Sequence, residues 1–360
     1  MKHQVKKVFI AGGTGFLGFY SAKLFLKMGC EVFSMALHAE QEKLSLSGSW
    51  FPKEINLSWG DLFAMSEDEI YDVMKDKGCD TFVYGLGPDD RVEPPAPSYE
   101  FFHLRLVEHA TKICRAAKRA GMKRCVVMNS YFAFFDRAEG AGIIHLKPGE
   151  LSASHPYIRC RVEQSASIRA LGEAGKFDVM IMELPYIFGN MPGRMPLWKE
   201  VFLDRFDKMP AIYFPKGGTN MIHVTGIAEA IVASAFNGNN GECYPVGNEN
   251  HPYKFMINTM MEAVGSKKRY AGVPACVGAI GGYFIKKSAK KRGKEGGLDY
   301  VKLMTQIQSR NLYFDSSITQ RALGFEELGF TGGLPVIEGI KQTMRACYPD
   351  KYNEDGTLKQ

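Results

Sequence analysis

"KKVFIAGGTGFLGFYSAKLFLKMG", residues 6–29, decides the fold. It reads as a strand over 6–12, a glycine turn, and a helix over 15–29. Gly12, Gly15 and Gly18 stand in the spacing G-x-x-G-x-x-G between strand and helix. Gly12 can take the tight turn, Gly15 lets a pyrophosphate approach the backbone, and Gly18 lets the helix lie against its strand. Leu17, Tyr20, Ala22, Leu24, Phe25 and Met28 give that helix a broad apolar face. The free amides and dipole at its start favour an anion. Thr14, Phe16 and Leu17 lie in the same turn and complete the cofactor site expected there.

Working outward, apolar runs of strand length recur at 30–37, 80–87, 124–130 and 178–185. Helix-length segments separate them, the longest over 99–121. Uninterrupted apolar strands alternating with helices imply an α/β fold, a doubly wound parallel sheet of Rossmann type covered on both faces. After about residue 190 the texture changes, with loop signals at 189–196 and 215–220. This divides the chain into a dinucleotide-binding domain, 1–190, to which 220–250 returns, and a smaller C-terminal substrate lobe, 191–219 and 251–345. Residues 346–360 read as a tail. In such sheets the ligand crevice lies outside the carboxyl ends of the strands.

The end of the second strand should report on the cofactor's ribose, because an acid there binds a 2′-hydroxyl and repels a 2′-phosphate. Counting along the chain puts Ala36 at that point, followed by Leu37 and His38, with Glu40 beyond it. No acid at the strand end, and His38 and Lys43 nearby, lean the cofactor toward NADP within NAD(P).

The formal charge of +6 sits largely in "IKKSAKKRGK", residues 285–294. The plain reading is a solvated helix end; the sharper one is contact with anionic lipid, nucleic acid or phosphate. No aromatic residues interleave with the run, which speaks against nucleic acid. The apolar stretch before it, 275–285, is too short to span a bilayer and reads as a helix of the lobe, with a surface membrane contact as the sharper alternative. None of the eight cysteines has zinc-ligand spacing, so no metal is expected. Scattered thiols and a first strand without a preceding signal-type segment point to a reducing cytoplasm.

Taken together, these segments resemble the extended short-chain dehydrogenase/reductase superfamily, in its epimerase/dehydratase-like branch. "AGGTGFLG" (11–18) resembles its dinucleotide turn, and "WGDLF" (59–63) its Gly-Asp-Leu segment, in which Asp61 and Leu62 would meet the adenine. "ELPYIFG" (183–189) resembles the segment at the mouth of the site, placing Pro185 and Ile187 near the nicotinamide. "NMIHVTGIAEAI" (220–231) and "YFDSSITQRALGF" (313–325) resemble two later family segments. The resemblance implies hydride chemistry at a carbonyl or alcohol.

By the same resemblance Tyr157, in "HPYIRCR" (155–161), matches the active-site tyrosine. A free phenol is a poor base at neutral pH, so a neighbouring cation must favour its ionised form. The family places a lysine four residues on, one turn along the same face. Here that residue is Arg161, which keeps the charge but cannot relay a proton. Ser130 is the expected holder of the substrate oxygen, with Tyr131 as an alternative from a longer arm. After the fourth strand, Gly85, Leu86 and Gly87 would let the cofactor approach the backbone, while Asp89, Asp90 and Arg91 read as a solvated loop. For the substrate, Phe132, Tyr186 and Trp198 line the expected mouth among dense aromatic residues that also include Phe134, Phe135, Phe188 and Phe202. Arg194, Arg205 and Lys216 are the cations that could grip a diphosphate, without forming a decisive cluster. An aromatic mouth favours an apolar or planar substrate.

The leading functional expectation is therefore an NAD(P)-dependent oxidoreductase reducing a carbonyl or oxidising an alcohol. The alternatives are a nucleotide-sugar epimerase or dehydratase with a borrowed hydride, and a dinucleotide-sensing protein that lost turnover with its lysine. A small-molecule substrate and a homodimer are the expected partners, with no nucleic acid and no integral membrane segment.

Overall fold

The computed structural model describes residues 1–41, 50–206, 208–353 and 355–359; Lys43 lies outside them. In chain order the elements that position the site begin with β1 (Lys7–Ala11), α1 (Phe16–Lys27), β2 (Glu31–Ala36), β3 (Ile55–Trp59) and β4 (Thr81–Tyr84). Next come α2 (His109–Arg119), β5 (Arg124–Ser130), α3 (Pro156–Arg169), β6 (Asp178–Leu184) and β7 (Tyr186–Phe188). Then follow β8 (Ile212–Pro215), β9 (Gly218–His223), α4 (Val224–Asn237), β10 (Cys243–Pro245), β11 (Glu249–Pro252) and α5 (Tyr253–Ala263). The chain closes through β12 (Tyr270–Val273), α6 (Ala275–Lys291), β13 (Asn311–Leu312) and α7 (Val336–Cys347).

Seven strands form one parallel sheet in the order β10-β6-β5-β4-β1-β2-β3. Strands β4, β5 and β6 are buried along their whole length, which is why they read as unbroken apolar runs. Successive side chains serve opposite faces. Val8, Ile10, Val83 and Val126 pack under α1 and α4, while Phe9, Phe82, Cys125 and Val127 pack under α2. Edge strand β3 was not legible in the sequence: "INLSW" is partly exposed beyond Ile55 and carries Asn and Ser where a central strand would carry apolar residues.

Strand order reverses between β1 and β4, so a crevice opens beyond their carboxyl ends. Over that crevice lies a second sheet, in which β9 pairs with β7, β11 and β13. Strands β8 and β12 form a separate pair beside it. The 220–250 stretch is shared: α4 and β10 join the large sheet, and β9 and β11 the small one. Tyr253, Met256, Ile257 and Met260 of α5 pack with Val336, Ile340 and Met344 of α7 to give the lobe its own core.

Candidate active site

The glycine turn is shaped by backbone contacts that allow no side chain. Gly12 has φ +97°, a conformation L side chains rarely adopt. A Cβ on Gly18 would stand 2.1 Å from the Gly12 carbonyl oxygen, so α1 can lie this close to the turn only without one. Ser34 ties the turn to β2: its Oγ accepts from the Gly13 amide at 3.1 Å and donates to the Ile10 carbonyl at 2.7 Å. The start of α1 has no side-chain cap, leaving its first amides free for an anion. Arg194 Nη1 lies 3.7 Å from the position a Cβ on Gly15 would take, which brings a guanidinium to the phosphate turn rather than to the far side of the site. These features fit a dinucleotide pyrophosphate.

The crevice widens into a cavity of about 1570 Å³, larger than the 300–1,000 Å³ usual for a single small ligand. Of the site residues named from the sequence, His38 and Lys216 are exposed and lie outside it, Phe134, Phe135 and Phe188 do not line it, and the other described ones do. The aromatic residues divide. Phe132, Tyr186, Trp198 and Phe202 face the cavity, whereas Phe134, Phe135 and Phe188 are buried core residues. Trp198 is fixed by stacking on Phe188, with centroids 4.8 Å apart, and by donating from Nε1 to the Ile187 carbonyl at 3.1 Å.

Three carboxylates, Glu40, Asp89 and Asp90, come to the cavity that the sequence reading left outside it. Glu40 Oε2 accepts from Thr14 Oγ1 at 2.6 Å, so an acid stands at the glycine turn although none ends β2. Its place depends on the chain turning back after β2, which counting along the strand does not show. The expectation that Asp89, Asp90 and Arg91 form a solvated loop is also corrected: all three line the cavity. Their loop leaves β4 at the switch point, where an exit toward solvent is also an exit toward the ligand. Arg91 Nη2 donates to Asp89 Oδ2 at 2.7 Å, and its guanidinium lies 5.9 Å from the Trp198 ring. Asp90 is largely buried at the cavity wall; burial raises its carboxyl pKa, Arg91 opposes this, and Asp89 adds to it.

At the opposite wall, Pro156 opens α3 at a position where its missing amide costs no helix bond. Tyr157, Arg161 and Gln164 then fall on one buried face. Placing a phenol, a guanidinium and an amide there demands partners. Arg161 Nε donates to Tyr157 Oη at 2.9 Å, and Arg161 Nη1 donates to Gln164 Oε1 at 2.8 Å. Asn129 Nδ2 donates to the same Gln164 oxygen at 3.2 Å and to the Arg161 carbonyl at 3.0 Å. Tyr157 is further held by its amide on the Gly297 carbonyl, 2.9 Å, and by the edge of Phe102. The net effect on the phenol differs from a simple cation-lowered tyrosine. Burial raises its pKa, Arg161 pulls it down, and Asp90 and Asp89 push it up, leaving it above the ordinary value.

Ser130 ends β5 on the same cavity, its Oγ accepting from the Phe132 amide at 3.3 Å. Tyr131 also touches the cavity but is 2% exposed, and its hydroxyl shares a hydrogen bond with Thr219 Oγ1 at 2.7 Å. The longer arm is therefore already occupied.

A parallel sheet with a glycine turn at its switch point, and a Tyr–Arg pair on the wall of the same cavity, make up a dinucleotide-binding fold of short-chain dehydrogenase/reductase type. Residues 8–247 match the model of the NAD dependent epimerase/dehydratase family, and the chain belongs to that family. No curated protein matches it. Among solved structures, gox2253 is similar with TM-score 0.72 and 17% identity, over 96% of this chain and 98% of that one. UDP-glucose 4-epimerase from Bifidobacterium longum, in complex with NAD+ and UDP, follows with TM-score 0.67 and 14% identity over 96% and 98%. UDP-glucuronic acid 4-epimerase from Bacillus cereus, in complex with UDP-glucuronic acid and NAD, has TM-score 0.65 and 12% identity over 95% and 99%. At these identities the likeness is one of fold. Family and fold together make the chain an NAD-dependent enzyme of the short-chain dehydrogenase/reductase superfamily.

Proposed function

We propose that the protein is a redox-neutral epimerase or dehydratase that oxidises a substrate alcohol, acts on the resulting carbonyl compound, and returns the hydride. The observation that carries this reading is the buried Tyr157–Arg161 hydrogen bond on the wall of the switch-point cavity. Tyr157 takes the proton of the substrate hydroxyl and later returns it. Arg161 stabilises the phenolate form that accepts this proton and, always charged, supplies electrostatics rather than a proton. Ser130 holds the substrate oxygen, a role supported by the commitment of the Tyr131 hydroxyl to Thr219. When bound, the nicotinamide supplies hydride acceptance and donation. Gly12, Gly15 and Arg194 would hold its pyrophosphate, Asp61 and Leu62 its adenine, and Pro185 and Ile187 would pack beside the nicotinamide.

We favour NAD over the NADP expected from Ala36. The Glu40 carboxylate beside Thr14 supports this, since an anion there would oppose a 2′-phosphate. NAD also accompanies the two epimerases named above in their solved structures.

Uridine-diphosphate sugars are the first substrates to test, because two neighbours carry UDP or a UDP-sugar. Arg205 and Arg292 stand on this cavity as cations for such a group. The aromatic wall of Tyr186, Trp198 and Phe202 favours a second reading, in which an apolar alcohol or ketone undergoes net oxidation or reduction. Purified enzyme with bound NAD, given a panel of UDP-sugars and apolar alcohols, separates the two. Product formed without accumulating reduced cofactor supports the proposal; reduced cofactor accumulating in step with product replaces it by the second reading.

A further inference from the structure

Helix α6 carries a feature the chemistry does not use. Val277, Ile280, Tyr283 and Phe284 are 47%, 60%, 53% and 62% exposed, an unusual concentration of large apolar side chains on one helix. Their spacing of three and four places them along one stripe, and Lys287 and Lys291 continue that stripe with Lys290 beside them. Lys286 pairs with Asp299 and Arg292 with Glu93, whereas Lys287, Lys290 and Lys291 form no ion pair among the described residues. The inner side of the same helix is a wall of the cavity. A Cβ on Gly282 would stand 2.3 Å from the Tyr300 carbonyl oxygen, and Gly281 and Ile285 face the cavity.

We propose that this face of α6 docks on an anionic membrane surface, with the apolar half in the headgroup boundary and the lysines on the lipid phosphates and carboxylates. Charge decides the occupant. A second copy of this chain, packed symmetrically, would bring Lys287, Lys290 and Lys291 against their own counterparts or leave them beside an apolar contact they do not serve. An anionic bilayer satisfies both halves of the stripe at once. The helix lies on the surface: no helix among the described residues is long and apolar enough to cross a membrane. Val277 and Phe284 also line the cavity, so docking would set its rim on the bilayer. This inference does not depend on the reaction proposed above.

The test is co-sedimentation of the whole protein with vesicles of phosphatidylcholine alone and of equal parts phosphatidylcholine and phosphatidylserine. We expect binding to the mixed vesicles, weakened by salt, and little to the neutral ones. The triple variant Lys287→Gln, Lys290→Gln, Lys291→Gln should lose affinity by about fivefold per lysine. Ile280→Ser with Tyr283→Ser, neither of which lines the cavity, should lose at least about tenfold. All five positions are exposed, so melting temperature and NAD binding should stay at the wild-type values. No binding of wild type to mixed vesicles would overturn the proposal, as would binding unchanged in both variants. Self-association lost on Ile280→Ser with Tyr283→Ser, without vesicle binding, would overturn it in favour of a second copy.

Discussion

The two walls of the cavity are built by different means. The glycine wall is specified by backbone: Gly12 and Gly18 are fixed by a positive φ and a 2.1 Å approach that no other residue meets. The α3 wall is specified by side chains, with Tyr157, Arg161, Gln164 and Asn129 holding one another in place. A backbone device tolerates nothing larger and announces itself in the sequence. A side-chain device tolerates exchange wherever the new group makes the same bonds, and Arg161 is proposed to be such an exchange at the position where the resembled family carries lysine.

The sharpest way to break that contrast is at the hydroxyl. Tyr157→Phe should lower turnover about a thousandfold while leaving NAD affinity within about twofold, measured by kinetics and calorimetry. Arg161→Ala should lose about a hundredfold, and Arg161→Lys should keep activity within about tenfold, because only the charge and one donor are needed. Equal activity in the alanine variant would remove Arg161 from the mechanism.

On the glycine wall the opposite pattern is expected. Gly18→Ala forces a Cβ onto the Gly12 carbonyl, so thermal melting should report a loss of about 3 kcal/mol, with NAD binding lost as well. A variant that binds NAD as tightly as wild type would show that the close approach is not required.

A third effect joins the two lobes. His155, which precedes α3, accepts from the Asp299 amide at 3.0 Å through Nδ1 and is fully buried. Burial lowers its pKa to about 4 from an ordinary 6.5. Between those values the unfolded chain holds a proton the folded one does not. Stability from this group is therefore complete above about pH 6.5 and falls as the pH drops toward 4, by about 3 kcal/mol in all. Denaturant unfolding at a series of pH values should show this slope in wild type. It should be reduced in His155→Asn, whose Oδ1 can accept from the same amide.

The smallest effect concerns the cofactor. Glu40→Gln should raise use of NADP relative to NAD by about tenfold, measured as the ratio of kcat/KM for the two. An unchanged ratio would remove Glu40 from cofactor choice.

The same contrast explains what the sequence could tell. Gly12, Gly15 and Gly18 were legible because local sterics fix their spacing, and β4, β5 and β6 because burial on both faces leaves only apolar residues. The pairing of Tyr157 with Arg161 was legible because a helix turn places residues four apart together, while their choice as site residues came from the family resemblance. Glu40 and Asp90 were not, since their positions depend on loops folding back over the switch point after β2 and β4. Nor does sequence spacing tell Phe132, which faces the cavity, from Phe135, which is buried three residues later on the same short helix.

The central claim is spatial: the Tyr157 hydroxyl, held by Arg161, faces the place where hydride moves. A crystal structure of the protein with NAD and a substrate alcohol bound tests it most directly. The account predicts the pyrophosphate on the Gly12–Gly18 turn and the nicotinamide ring beside Tyr157, with Oη within about 3.5 Å of the substrate oxygen that lies against the ring. A nicotinamide lying away from α3, with the Tyr157–Arg161 pair facing only protein, would contradict it.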